Sequence, residues 1–174
     1  MGGRGMSRLT ERLPAGDRIL LDSSVLAAYF DGGERTSALA AELVDEHVRS
    51  GRNPAVVSMI SVMETLIRPL RRLPAAHATV LSFFREMPNL STAPVDLDVA
   101  AEAANLRVAF GLAAPDALIA ATGLAAGVAH LVTNDRAWRV RLEPLRHRAS
   151  VLILVDLVEP PDGRIAGPPG REPA

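Results

Sequence analysis

Short apolar runs alternate with amphipathic stretches along the chain, and this pattern predicts alternating strands and helices. Runs of four to six mostly apolar residues, rich in Val, Ile and Leu, have the length of buried strands. They lie at 19–22, 55–59, 90–95, 129–133 and 151–155. Between them, apolar residues recur at helical spacing, and glycines mark several of the ends. The predicted helices cover 24–30, 36–49, 61–72, 75–86, 97–110 and 115–126.

Strands separated by helices of ten or more residues imply crossover connections and parallel pairing. The predicted fold is therefore α/β, a three-layer α/β/α sandwich with a mostly parallel central sheet. A chain of 174 residues suits one such domain. We place this domain at 18–157, between a flexible N-terminal arm at 1–17 and a disordered tail at 158–174. The tail holds five Pro and three Gly and has little to bury.

The composition excludes several kinds of site. The chain has no Cys, which rules out disulfides, thiolate zinc sites and cysteine nucleophiles. All nineteen basic residues are Arg, so lysine Schiff bases and the lysine-containing phosphate loop are excluded as well. The net charge of −1 means that nucleic-acid binding would need a local basic patch. We find no apolar run long enough for a membrane span and no secretion signal, and we expect a cytoplasmic protein.

Four carboxylates occupy similar places in the predicted pattern. Asp22 and Asp135 come at or just after strand ends, and Glu64 and Asp116 lie near the start of helices. The carboxyl ends of parallel strands meet at one edge of the sheet, where sites commonly form. Four such acids close together need protons or a cation, and oxygen ligands favour Mg²⁺ or Mn²⁺. The pattern thus indicates a metal-dependent phosphodiester hydrolase.

Each acid also has a purely structural interpretation. Asp22 and Asp135 suit helix N-caps, and Asp116 suits the first turn of a helix. Ser61 and Glu64 have the spacing of a capping box, which explains that glutamate without catalysis. The joint placement of the four favours the metal site. The nearest competing acids are Asp96 and Asp98, which we interpret as helix-start residues.

Four segments of the chain resemble the PIN-domain ribonucleases, and among them the VapC-type toxins of bacterial toxin–antitoxin pairs. The segments are Leu20-Leu21-Asp22-Ser23-Ser24, Ser61-Val62-Met63-Glu64-Thr65-Leu66, Pro115-Asp116-Ala117-Leu118-Ile119-Ala120-Ala121-Thr122 and Leu131-Val132-Thr133-Asn134-Asp135. The third and fourth segments are specific when they occur together. The resemblance covers roughly 18–157 in the right order.

The resemblance implies an acidic site of Asp22, Glu64, Asp116 and Asp135 that holds Mg²⁺ or Mn²⁺. We expect Asp22, Asp116 and Asp135 as metal ligands, and Glu64 acting through a water. Ser24 and Thr133 match the polar positions that support the acids in this family. The resemblance further implies an RNA substrate, a homodimer and a cognate antitoxin that blocks the site. Many relatives have a further acid two residues after Thr-Asn-Asp, whereas Arg136 and Ala137 follow here, so the number of metal ions stays open.

RNA must approach four acids, so we expect arginines around the site to hold phosphates. The candidates follow two of the acids along the chain: Arg68, Arg71, Arg72, Arg136 and Arg139, with Arg141 beyond them. The alternative for each is a solvated surface. A partner groove is a further possibility on the helices of Leu39 and Leu43 and of Leu81 and Phe84, for which the alternative is the core.

Two other classes of function compete with the nuclease. Phosphatases of the haloacid-dehalogenase type place a second Asp two residues after the nucleophile and use a Lys. Here that position is Ser24 and Lys is absent, and receiver domains fail for the same lack of Lys. A catalytically silent PIN-like scaffold that binds RNA or a protein partner remains the alternative. The four acids predict a metal-dependent phosphodiester hydrolase, and the resemblance implies that it is an endoribonuclease, the toxin of a type II toxin–antitoxin system.

Overall fold

Five parallel strands form the centre of the fold in a computed structural model that describes residues 7–158. They are β1 Ile19–Leu21, β2 Ala55–Ser58, β3 Leu90–Ala93, β4 His130–Thr133 and β5 Ser150–Ile153. Their order in the sheet is β3-β2-β1-β4-β5, and every neighbouring pair is parallel. The chain moves outward from β1 on one side and returns to β4 on the other, so the topological switch point lies between β1 and β4. The predicted α/β class is confirmed.

Eight α-helices and three other helical segments connect and flank the described strands. The helices are α1 Arg8–Arg12, α2 Ser23–Asp31, α3 Ser37–Ala41, α4 Met59–Arg72, α5 Pro74–Glu86, α6 Leu97–Phe110, α7 Ala114–Ala125 and α8 Ala137–Arg141. A π-helix, Glu42–Val48, continues α3, and 3₁₀ turns cover Glu143–Leu145 and Leu154–Leu157. The predicted strands and long helices are all present, with ends shifted by a few residues.

Alternate residues of the strands pack into separate cores on the two faces of the sheet. Ile19 and Leu21 of β1 belong to one core, and Leu20 belongs to the other. Successive side chains of a strand point to opposite faces, so a buried β1 must be apolar at every position. Trp138 of α8 is fully buried in the second core. This is the three-layer arrangement that the alternating pattern predicts.

The N-terminal segment differs from its prediction as a flexible arm over 1–17. Residues Arg8–Arg12 form α1, and the Ser7 side chain caps it by accepting a hydrogen bond from the Thr10 backbone N–H at 3.2 Å. Leu9 and Leu13 are completely buried in the first core. The arm prediction is therefore wrong for the described residues, because two leucines one helical turn apart find a core face. Residues 1–6 and the predicted tail from 159 onward lie outside the described part.

Helix α4 begins three residues earlier than the capping-box interpretation placed it. Ser58 is its N-cap and accepts a hydrogen bond from the Ile60 backbone N–H at 3.3 Å. Ser61 is fully buried inside the helix, and Glu64 lies in the second turn. The capping box of Ser61 and Glu64 is thus wrong, and Glu64 is not engaged in capping.

Most of the apolar positions considered for a partner groove are part of the core. Leu43 and Phe84 are buried, and Leu39 packs against the same core. Within residues 7–158, no single helix is long and apolar enough to cross a membrane. Helices α6 and α7 satisfy that length and composition only as a pair, bent by 120°.

Candidate active site at the carboxyl edge of the sheet

Asp22 follows β1 at the centre of the sheet and is 4% exposed. It caps α2, and its Oδ1 accepts a hydrogen bond from the Ser23 backbone N–H at 2.7 Å. Its Oδ2 accepts from the Ser24 hydroxyl at 2.6 Å and from the Thr133 hydroxyl at 2.7 Å. Asp22 thus combines a helix-capping role with a position at the switch point, held by neutral donors on three sides.

The loop after β4 is joined to the same group. The Thr133 Oγ1 also accepts from the Asp135 backbone N–H at 3.0 Å, and Asp135 in turn accepts from the Ala137 backbone N–H at 2.8 Å. The side chain of Thr133 therefore links the carboxylate of Asp22 to the backbone of Asp135. Asp135 itself is exposed. Both polar positions predicted as supporting residues contact Asp22 directly.

Asn134 is a member of this network that the sequence analysis did not single out. Its backbone N–H donates to the Ser24 Oγ at 3.0 Å. Its side-chain amide donates to the Ser24 carbonyl and to the Thr36 hydroxyl, each at 3.2 Å. Asn134 thereby fixes the loop after β4 against α2 and the start of α3. The position of Asn between Thr133 and Asp135 was visible in the sequence, but its partners were not.

The charges of the four acids act on one another across the edge of the sheet. Burial, and then the charges of Asp22, Asp135 and Glu64, raise the pKa of Asp116 above its usual range. Asp116 is half-buried in the first turn of α7. The fold therefore brings four carboxylates, which come from separate stretches of the chain, into one electrostatic neighbourhood. In the described part of the chain, none of the four forms an ion pair.

A groove runs along α2 and α4, and of the four acids Glu64 lines it. The section beside Glu64 has a volume of about 420 Å³ and is also lined by Ser24 and Thr65, with Phe30 and Pro69 as apolar walls. A second section of about 500 Å³ shares Phe30 and Pro69 and continues past Arg72 and Leu73 to α5. The ion pair of Asp31 and Arg68 lies where the two sections meet.

The acids suit a hard cation in their chemistry, although they do not enclose one as they stand. Within residues 7–158, no group of three or more acidic or histidine side chains is arranged tightly enough to hold a metal ion. Asp22 is nevertheless a buried carboxylate without a basic partner among the described residues, and the repulsion at Asp116 is of the kind that a divalent cation relieves. The residues therefore fit Mg²⁺ or Mn²⁺, and binding would require rotation of the side chains.

Three of the five arginines predicted to hold RNA are neutralised by nearby acids. Arg136 and Arg139 both donate to Asp156, and Arg68 pairs with Asp31. Burial opposes the effect, but the two guanidinium hydrogen bonds hold the pKa of Asp156 below its usual range. The other two, Arg71 and Arg72, are exposed and form no ion pair in the described chain.

Among the arginines of residues 7–158, Arg141 is the one whose charge acts on Asp116. Its guanidinium donates to the Gly111 carbonyl, at the end of α6, and its charge opposes the rise in the pKa of Asp116. This contact ties the end of α8 to the turn that leads into α7. A single carbonyl leaves other guanidinium N–H groups for a phosphate. The sequence placed Arg141 beyond the candidate arginines, because a bond to a distant carbonyl has no sequence signal.

Comparison with known proteins identifies the fold and the family. The family described as the PIN domain matches residues 19–141, which is more than half of the chain. No curated protein matches the sequence significantly.

Several solved structures are similar in fold at low sequence identity. The FitAcB crystal structure from Neisseria gonorrhoeae is 22% identical, with 79% of this chain and 98% of that chain covered and a TM-score of 0.58. Mycobacterium tuberculosis VapC20, described as a sarcin-ricin loop cleaving toxin, is 20% identical, with 68% and 90% covered and a TM-score of 0.56. A toxin–antitoxin complex from Klebsiella pneumoniae is 18% identical, with 78% and 97% covered and a TM-score of 0.55.

Proposed function

Because the chain belongs to the PIN-domain family, we propose that it is a metal-dependent endoribonuclease and the toxin of a type II toxin–antitoxin system. One observation carries the proposal. The buried carboxylate of Asp22 is held by neutral donors at the switch point, where burial, and then the charges of Asp22, Asp135 and Glu64, raise the pKa of Asp116. Such a group of unpaired acids is costly unless it binds a cation, so it points to function and not to stability.

In the proposed reaction, Asp22, Asp116 and Asp135 hold Mg²⁺ or Mn²⁺. When bound, the ion supplies an activated water and neutralises charge on the phosphoryl oxygens. Ser24 and Thr133 keep the Asp22 carboxylate in one orientation through hydrogen bonds of 2.6 and 2.7 Å. Glu64 extends from α4 into the groove, where its carboxylate orients a water beside the scissile phosphate.

RNA would enter along the groove between α2 and α4, with its backbone held by arginines that are not neutralised by acids. Arg141 lies beside the acids, and Arg72 lines the far section of the groove. The ion pairs at Arg68, Arg136 and Arg139 make these three weaker candidates than the sequence indicated. Phosphate contacts fix the position of the strand but carry no sequence information.

A cognate antitoxin is the proposed regulator. Several of the similar structures are described as toxin–antitoxin complexes, among them those from Klebsiella pneumoniae and Rickettsia felis. The groove beside Glu64 has apolar walls at Phe30 and Pro69 and acids at one end. An antitoxin segment with apolar side chains and one basic residue would fill it and block the site.

The second candidate function is a silent PIN-like scaffold that binds RNA or a protein without cutting. The observation that favours it is the absence, within residues 7–158, of a group of acids already arranged to hold a metal ion. In this alternative the groove binds RNA or a protein, and the carboxylates do not take part in cleavage.

The experiment compares wild type, Asp22→Asn and Asp98→Asn on a mixed panel of RNAs, with the protein freed of any co-purified antitoxin. Asp98 is an exposed acid in the first turn of α6 and serves as the matched control. Cleavage by wild type and Asp98→Asn, abolished by EDTA and by Asp22→Asn, supports the nuclease. Equal cleavage by all three proteins contradicts the assignment of Asp22. Binding of RNA without cleavage by any of them favours the scaffold.

A further inference from the structure

A second group of polar side chains lies at the edge of the sheet where the strands begin, which we call the amino edge. The group consists of Asp17, His130 and Ser150, and the ring of His130 lies between the other two. Its Nε2 is 2.8 Å from the Asp17 Oδ2, and its Nδ1 is 2.6 Å from the Ser150 Oγ. A carboxylate, an imidazole and a hydroxyl therefore form one hydrogen-bonded chain, at the edge opposite to the candidate active site.

The register of the sheet brings the three residues together. His130 is the first residue of β4 and Ser150 is the first residue of β5, and the two are paired directly across the parallel strands. Asp17 comes two residues before β1, whose Ile19 is paired with His130. The buried Asn53 donates its side-chain amide to the Asp17 carbonyl at 3.0 Å and so holds that part of the backbone. Groups supported by strands are held more precisely than groups on loops.

The partners of His130 determine which ring nitrogen carries the hydrogen. A carboxylate only accepts, so Nε2 donates to Asp17, and Nδ1 of the neutral ring is left as an acceptor. The Ser150 Oγ lies 2.6 Å from this nitrogen and 3.5 Å from the Ala129 carbonyl oxygen, so its one hydrogen is donated to His130. His130 is therefore oriented to take the proton of the serine hydroxyl.

The three side chains differ in their exposure to solvent. The His130 side chain is 15% exposed and the Asp17 side chain is 35% exposed, whereas Ser150 is an exposed residue. The base is thus shielded while the hydroxyl is open to a molecule from solution. A hydroxyl bonded to a base that a carboxylate orients is the arrangement of an activated nucleophile, and geometry identifies it in any fold. The alternative is a structural link between strand ends, in which the hydroxyl is unreactive.

From this geometry we propose that Ser150 is a nucleophile for acyl transfer, with His130 as its general base and Asp17 as a positioning residue. The substrate class is an activated carboxylic ester. The described contacts of the Ser150 Oγ are with His130 and the Ala129 carbonyl, and neither donates to a developing oxyanion, so the ester must carry a good leaving group. The activity does not depend on whether the four acids cleave RNA.

The proposed reaction has two steps. In the first, the Ser150 Oγ attacks the carbonyl carbon of the ester while the His130 Nδ1 takes the hydroxyl proton. The bond between the carbonyl carbon and the leaving oxygen breaks, and the leaving group departs with the electron pair and receives the proton from His130. In the second, water attacks the acyl group on Ser150 and releases the carboxylic acid and the free serine.

The first test is covalent labelling with a fluorophosphonate probe, in which the serine Oγ attacks phosphorus and fluoride leaves. We expect the label on Ser150 in folded wild type, located by mass spectrometry of its peptides, and no label in wild type unfolded in urea. Ser150→Ala should abolish labelling, and Ser82→Ala, at an exposed serine of α5, should leave it unchanged. Folded wild type without label on Ser150, or equal labelling of folded and unfolded protein, overturns the proposal.

The second test assigns the roles of the other two residues from the release of p-nitrophenolate from p-nitrophenyl acetate, after subtraction of the rate of Ser150→Ala. His130→Gln should lower the remaining rate by about 10²–10⁴-fold, the usual contribution of a general base. The wild-type rate should rise with pH as His130 loses its proton, and His130→Gln should lack this rise. Equal rates in wild type and His130→Gln would show that the hydrogen-bonded chain is only structural.

The same assay examines Asp17 and separates this activity from the proposed RNA cleavage. Asp17→Asn should slow the reaction, and Asp17→Glu, which keeps the carboxylate, should recover part of the rate. EDTA should leave the rate unchanged, because no metal takes part, whereas it should stop the proposed cleavage of RNA. If Asp17→Asn reacts as fast as wild type, or if EDTA abolishes the reaction, the assignment of the amino edge is wrong.

Discussion

Hydrogen bonds hold the side-chain oxygens of Asp22 and Thr133 in place. The Asp22 Oδ2 accepts from two hydroxyls, and one of them, on Thr133, is fully buried and also accepts from the Asp135 backbone N–H. A hydroxyl that donates to one acid and accepts from the backbone of another sets their relative position. Thr133 is therefore a positioning residue, and its role differs from that of the carboxylates.

Replacing Thr133 with Val keeps the shape of the side chain and removes its hydrogen bonds to Asp22, Asp135 and Ser24. Since groups that orient metal ligands typically contribute 10–100-fold to metal affinity, we expect Thr133→Val to need about 10–100-fold more Mn²⁺. The measurement is calorimetric titration with Mn²⁺, together with the metal dependence of RNA cleavage. Thr92→Val, at an exposed position of β3, is the matched control and should leave both unchanged. Unchanged Mn²⁺ affinity in Thr133→Val would show that the link to Asp135 does not contribute to metal binding.

Arg141 and Arg139 are close in sequence, but an acid neutralises Arg139 whereas Arg141 contacts a neutral carbonyl. Arg139 pairs with Asp156, whereas Arg141 donates to the Gly111 carbonyl and keeps its charge near Asp116. We expect Arg141→Gln to weaken RNA binding and to lower the slope of log affinity against log salt by about one phosphate contact. Arg139→Gln should have a smaller effect. The measurement is RNA binding in EDTA at several salt concentrations, and equal effects of the two substitutions would contradict the distinction.

Helix α7 packs closely on the sheet at Gly123. A Cβ on Gly123 would lie 2.6 Å from the Leu131 Cδ2 and 3.2 Å from the Leu20 Cβ. Ala117, Ala120 and Ala121 are small and fully buried on the same helix. Asp116 lies in the first turn of α7, so the close approach also determines where that carboxylate stands at the edge of the sheet.

Gly123→Ala should lower the free energy of unfolding by about 1–3 kcal/mol, the usual effect of overfilling a packed interior. A loss of stability would be informative because helix propensity alone favours alanine over glycine by about 1 kcal/mol and so predicts a gain. Urea unfolding measures the change. Gly33→Ala is the control, since its added Cβ meets only the Asp31 carbonyl oxygen at 3.9 Å. Stabilisation by Gly123→Ala would mean that the Leu131 side chain or α7 itself shifts at little cost.

The short helix α8 is joined to the end of the described chain by Asp156, which accepts from Arg136 and Arg139. These bonds lower the pKa of Asp156 in the folded protein below its unfolded value of about 3.9. The stabilisation is therefore present above about pH 4 and is lost as the pH falls through the folded pKa. Because the pair is largely exposed, Asp156→Asn should cost at most ~1 kcal/mol at pH 7. Thermal unfolding should show no difference from wild type in strong acid, and a difference that grows in acid would contradict the assignment.

The strands and long helices were predictable because their signals are local. Three consecutive apolar residues end at Asp22, and the two glycines that stop α6 and α7, Gly111 and Gly127, both adopt positive φ. The start of α4 was misjudged because Ser58 and Ser61 are equally good N-caps in sequence. The choice between them depends on where β2 ends in the sheet. The π-helix Glu42–Val48 also has no local signal that separates it from an α-helix.

At the scale of the whole molecule, the closeness of Asp22 and Asp135 follows from topology, whereas the ion pairing of the arginines does not. Asp22 and Asp135 follow β1 and β4, which flank the switch point, so parallel pairing brings them together. The neutralisation of Arg68 by Asp31, by contrast, joins residues 37 positions apart and depends on how α2 packs against α4. Topology therefore predicts that Asp22 and Asp135 lie on neighbouring strands, whereas the ion pairs of the arginines depend on tertiary packing.

The N-terminal segment was misjudged for a similar reason. Few apolar residues precede β1, and only the tertiary structure shows that Leu9 and Leu13 close the first core. The fully buried Asn53 holds the connection to β1, because its side-chain amide donates to the Pro14 carbonyl at 2.7 Å and to the Asp17 carbonyl at 3.0 Å. A buried amide that satisfies two backbone carbonyls makes the segment part of the cooperative fold.

If α1 belongs to the cooperative fold, Leu9→Ala should act as a core substitution. We expect the free energy of unfolding to fall by about 2–5 kcal/mol, the range for removing a buried leucine side chain. Arg12→Ala changes an exposed residue of the same helix and should have little effect. Denaturant unfolding followed by both far-UV circular dichroism and Trp138 fluorescence tests the coupling, since Trp138 lies in the core on the opposite face of the sheet. If both signals report the same loss of stability in Leu9→Ala, the two cores unfold together. An unchanged unfolding midpoint would mean that α1 detaches without cost.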